Sequence, residues 1–102
     1  MKVLARPIVN FGGWPCWIKW QQYSNGRIAI QLMCEEGPMA IATVNIPEVS
    51  LKDNEVIIKD YSENQGVLAA LIKARVIKKT RREVPIGNWS LGFVCKLLVK
   101  PE

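Results

Sequence analysis

Histidine is absent from this chain. That removes the usual general base and the commonest metal ligand, and it excludes Ser-His and Cys-His catalysis and most zinc sites. Cysteine is scarce: Cys16, Cys34 and Cys95 are an odd number at wide spacing, with no Cys-x-x-Cys pair. Each lies in an apolar stretch, so all three are read as free, buried thiols of a protein kept in a reducing, intracellular compartment. No apolar run reaches the about 18 residues of a membrane span, and Met1 to Gly13 lacks the core of a signal peptide. The expected location is the cytoplasm, with no membrane partner. A Gly-rich phosphate loop, a Walker motif and a nucleophile elbow are also missing. The sequence therefore predicts a non-enzyme with no catalytic, cofactor-binding or metal-binding residues.

What is present is a composition of globular type, 49% hydrophobic and 23% charged over 102 residues. It predicts residues 1–102 as a single α+β domain. The strand signals dominate. Lys2 to Val9 reads as a strand that Pro7 confines to an edge or an end, and Phe11-Gly12-Gly13-Trp14-Pro15 breaks the chain. Cys16, Ile18 and Trp20 alternate with Trp17, Lys19 and Gln21, the period of a half-buried strand. Asn25-Gly26 then predicts a type I′ hairpin turn into Arg27 to Cys34. Glu35-Glu36-Gly37-Pro38 makes a second turn, and Met39 to Ile46 completes an antiparallel meander. Glu55 to Tyr61 is a further short strand.

Ser62-x-x-Gln65 reads as a capping box opening one helix, about 62–76, whose stripe Val67, Leu68, Leu71 and Ile72 should pack on one face of the sheet. The C-terminal strand is read from Trp89, Leu91, Phe93, Cys95, Leu97 and Val99 alternating with their neighbours.

Charge is unevenly spread. Residues 1–34 sum to +4, residues 35–63 to −5 and residues 64–102 to +6, which predicts an electrically two-sided molecule. Six bases, Lys73, Arg75, Lys78, Lys79, Arg81 and Arg82, form one basic strip. As an interaction site it suits nucleic-acid phosphates or an acidic protein groove equally. Trp14, Trp17 and Trp20 recur every three residues, so on a strand Trp17 faces opposite to the other two and at least one ring is exposed. Exposed tryptophan is enriched at binding hot spots. Trp14 and Trp17 together with the six bases are the candidate partner-binding residues.

The run Tyr23-x-Asn25-Gly26-Arg27-Ile28-Ala29-Ile30-Gln31-Leu32, then Glu35-Glu36-Gly37-Pro38 and Ala42-Thr43-Val44-Asn45, resembles a small domain family of unknown function found in phages, plasmids and conjugative elements of bacteria. The resemblance covers about residues 20 to 46. It implies a mobile-element setting in a bacterial host cell, and it supplies no catalytic residues. With it, the leading expectation is a basic, non-catalytic phage or mobile-element protein that binds and inhibits a host protein, such as a nucleic-acid-binding defence complex. An anti-CRISPR-like counter-defence inhibitor is its most concrete form. A nucleic-acid-binding accessory protein and a self-assembling module, for instance a homodimer, are the alternatives.

Overall fold

The structure, a computed structural model, describes residues 7–101. It is α+β: seven strands in two antiparallel sheets with one helix. The expected strand Lys2 to Val9 falls, except for its last residues, outside the described residues. Within them the first strand is the short β1 (Val9–Phe11), paired with β2 (Trp14–Gln22). Gly12 and Gly13 both take positive φ, +61° and +82°, the backbone pattern of a type I′ turn. The segment expected to break the chain thus makes a two-residue hairpin.

The meander β2, β3 (Ile28–Cys34) and β4 (Gly37–Ile41) forms, but its last strand takes in Gly37 and Pro38, expected in the turn, and ends at Ile41, short of the expected Ile46. Its Asn25-Gly26 turn is of a different type. Only Gly26 has positive φ, the Gly26 amide donates to the Tyr23 carbonyl, and the Tyr23 amide donates to Arg27. This is a type I turn followed by a left-handed glycine. The Asn25 side chain favours it by accepting from the Arg27 amide at 3.2 Å, an Asx-type bond that leaves asparagine at negative φ.

The sequence predicts one sheet, whereas the later strands form a second: β5 (Glu55–Lys59), β6 (Ile77–Ile86) and β7 (Ser90–Leu97), with β7 central. Residues 42–44 stitch the sheets together. Ala42 donates to Ile30 of β3 and accepts from Lys59 of β5, while Val44 donates to Ile57. The inner faces of both sheets and the helix share one apolar core, in which Ile30, Leu32, Ile58 and Leu71 are fully buried. Each such side chain contributes about 1.5–3 kcal/mol. The Arg82–Glu55 ion pair at 3.8 Å, an exposed guanidinium on a largely buried carboxylate, is long and contributes on the order of 1 kcal/mol, so apolar burial holds the molecule together.

The helix is shorter than the sequence predicts. A 3-10 turn at Ser62–Asn64 precedes it, and α1 spans only Val67–Lys73. Ser62 and Gln65 make no capping box, because Gly66, at φ +97°, breaks the helical path between them and Val67. Asp60 takes the capping role from outside the helix, its Oδ1 accepting from the Gly66 and Leu68 amides at 2.8 and 3.1 Å. At the other end Arg75, at φ +62°, closes a Schellman motif. Val76 donates to Leu71 and Arg75 to Ile72, which satisfies the last carbonyls. Val67 and Leu71 are buried as expected, but Ile72 is exposed, because seven residues present only a narrow stripe. Asp60→Ala should lower stability by about 1 kcal/mol, about 4–8 °C in melting temperature for a domain of this size. Asp60→Asn, which keeps the acceptor, should melt close to wild type by circular dichroism.

Candidate functional site

β2 positions the tryptophans by the rule of alternation. Cys16, Ile18 and Trp20 point inward to the core, and Pro15, Trp17, Lys19 and Gln21 point outward. Trp17 lies opposite Met33 of β3, which lies opposite Pro38 of β4; in the next row Lys19, Gln31 and Ile41 are aligned. Trp17 is 38% exposed, Ile41 44% exposed and Pro38 exposed, with Met33 half-buried between them, so Trp17, Met33, Pro38 and Ile41 form an apolar patch on this outer face, while Ala29 further along it is buried. Trp14 belongs to the inward set but sits at the strand start beside the Gly12-Gly13 turn, beyond the end of the core, and is 45% exposed. The two candidate tryptophans are therefore both accessible but face opposite sides of β2.

The basic strip is dispersed. Lys73 ends α1 and Arg75 lies just past it, whereas Lys78 and Lys79 open the edge strand β6. Pairing continues from Lys79↔Cys95 to Glu83↔Phe93, so Thr80, Arg81 and Arg82 occupy a bulge. The Thr80 hydroxyl donates to the Val94 carbonyl at 2.6 Å and accepts from the Arg82 amide at 3.2 Å. Lys79 turns to the core side, its Nζ 4.8 Å from the Phe93 ring centre, a cation–π contact. Lys78 and Arg82 share the opposite side, where Arg82 reaches Glu55. A bulge and lysines on an edge strand also block pairing with foreign strands. The acidic and basic zones are not cleanly two-sided either, since β5 from the acidic segment lies against β7 with Glu55 opposite Lys96.

Two residues with binding character escape the sequence pattern. Alternation places Trp89 at the start of the last strand, yet it lies in the β6–β7 turn and is 96% exposed; the Gly87-Asn88 pair preceding it is the signal that marks that turn. Lys96 lies outside the basic strip and joins Lys78 only through strand pairing. Arg27, near the tryptophans in sequence, serves the fold instead. Its guanidinium donates to the carbonyls of Ile46 at 2.8 Å and Val49 at 2.5 Å, which ties down the loop after β4.

The three thiols are free and buried. Burial, then repulsion from Cys34, raises the Cys16 pKa, and burial pushes Cys95 up to about 12. Both are protonated at neutral pH and are poor nucleophiles there. A cavity of about 560 Å³ is lined by Trp20, Gln21, Gln22, Ile28 and Pro101, none of which transfers protons. Among the described residues no three histidine, cysteine or carboxylate side chains gather as metal ligands, and no helix is long and apolar enough to cross a membrane.

No family model, curated protein or solved structure matches this chain.

Proposed function

We propose that this chain is a non-catalytic binding protein whose outer face on the first sheet docks a host protein and inhibits it. The observation that carries the reading is the row Trp17–Met33–Pro38 with Ile41 beside it, in which Trp17, Pro38 and Ile41 are exposed among the described residues. A sheet face left apolar and open marks an interaction surface, and a rigid aromatic at its centre is the usual hot spot. Lys19 and Gln31 border the row and supply the polar rim such an interface needs. The mobile-element resemblance makes a bacterial defence complex the natural target and counter-defence the natural purpose. Trp14 and the exposed Trp89 are secondary anchors, since they lie at hairpin turns away from that row.

The test is a paired one. With the chain as bait in a bacterial lysate, one specific protein should be retained by wild type, and its affinity should fall by at least about 30-fold with Trp17→Ala, the loss of about 2 kcal/mol typical of a hot spot. The melting temperature should stay within about 2 °C, because a half-exposed ring on an open face contributes little to the core. Unchanged retention, or a collapse in melting temperature, overturns the reading.

A further inference from the structure

The exposed face of the second sheet gathers cations that are distant in sequence. Lys78 of β6 lies directly opposite Lys96 of β7, and Lys96 directly opposite Glu55 of β5, so the three share one row and one face. Arg82 reaches over to Glu55 at 3.8 Å. Lys59, half-exposed, lies two pairs beyond Ile57 and four beyond Glu55 along β5, with the same facing as Glu55. Lys78, Lys96 and Arg82 are all exposed. These three cations thus gather about a single carboxylate whose charge Arg82 already meets, and Lys59 lies further along the same face.

Like charges directly opposite each other on a sheet destabilise it, so the Lys78–Lys96 pair works against folding. Apolar residues do not explain the arrangement, because Ile57 and Val94 on this face are buried beneath it. An anion lying across the row would turn the repulsion into binding, and several cations spread over three strands at about 4.8 Å spacing fit a chain of phosphates better than one.

We propose that the exposed face of the β5–β7–β6 sheet, through Lys59, Lys78, Arg82 and Lys96, binds the phosphate backbone of a nucleic acid. This site is separate from the apolar docking face on the first sheet. It is also a different set from the linear basic strip: Lys79 is turned to the other side, and Lys73 and Arg75 belong to the end of α1. Binding is by charge and reads no sequence, since the face presents cations and no base-reading amide side chains.

The experiment is fluorescence anisotropy with a labelled DNA duplex of about 20 base pairs and the matching single strand, between about 50 and about 200 mM salt. Affinity should fall steeply with salt, with a log–log slope near −3 to −4 on the duplex if all four cations engage, about −0.9 for each phosphate neutralised. Lys78→Gln with Lys96→Gln should reduce that slope by about 2 and weaken binding at least about 10-fold at low salt. Lys73→Gln with Lys79→Gln should leave both unchanged, and the Lys78→Gln, Lys96→Gln variant should melt like wild type or higher. No binding of either probe at about 50 mM salt overturns the proposal, as does equal weakening by the two double variants. Equal or tighter binding to phosphatidylglycerol vesicles would assign the face to a membrane surface and overturn it as well. Trp17→Ala should not affect this assay, so its failure and that of the docking face are separable.

Discussion

Gly92→Val should cost the protein most of its stability, and Gly92→Ala a large part of it. Gly92 lies buried in the middle of β7, opposite Lys59 on one side and Val84 on the other. Its φ is not in the left-handed region, so backbone freedom is not the reason for glycine, and an alanine in open space there would stabilise the strand by about 0.5–1 kcal/mol. Contact reverses the sign. A Cβ at this position would stand 2.6 Å from Cγ2 of Ile57 and 2.9 Å from Cδ1 of Ile86. Ile57 is 1% exposed on a strand bonded to β7, and its β-branched side chain is stiff about χ1, so it has little room to retreat. Overpacking of this kind costs about 1–3 kcal/mol for one methyl. Valine adds two more and should exceed that, against a total of about 5–15 kcal/mol. Urea titration should show the midpoint falling with unchanged slope for Gly92→Ala, and no folded baseline at 37 °C for Gly92→Val. Ile57→Ala combined with Gly92→Ala should be less damaging than the sum of the two. An alanine variant as stable as wild type would contradict the packing argument.

Thr43→Val should lower stability by about 1–3 kcal/mol although it preserves shape, because it leaves a buried donor without an acceptor. The pairing of β3 with β4 ends at Ile41. Just beyond, the Ile30 carbonyl still receives the Ala42 amide, but its amide, which points the same way, donates to the Thr43 hydroxyl oxygen at 3.2 Å. A side chain thus replaces the missing main-chain acceptor. The same hydroxyl meets that of Tyr23 at 3.0 Å. Thr43 is 2% exposed, so water cannot substitute. Amide exchange at Ile30 should accelerate in Thr43→Val, Thr43→Ser should retain most of the stability, and Tyr23→Phe should have a smaller effect, since it leaves the amide bond intact. A valine variant with unchanged stability and exchange would show that Ile30 has another partner.

The two cases mark where sequence reading succeeds and where it ends. Alternation in β2, β3 and β7 is visible because a period of two needs only the residues of one strand. Free buried thiols follow from spacing and apolar neighbours. The turn type at Asn25-Gly26 is not visible, because Asn25 forms a side-chain bond to Arg27 that competes with the positive φ asparagine tolerates. The helix start is misplaced for a similar reason: its capping acceptor, Asp60, precedes the first helical residue by seven positions, beyond the window in which capping patterns are recognised.

Residue identity alone determined the class of this protein, the facing of its alternating strands, its free buried cysteines and that at least one of the closely spaced tryptophans is exposed. Folding decided the rest. That β7 enters between β5 and β6, that Lys96 comes to lie against Lys78, and that Thr43 and Arg27 bond groups up to 22 residues distant all depend on which segments pair. A local period specifies which side of a strand is apolar, but not which strand it will meet.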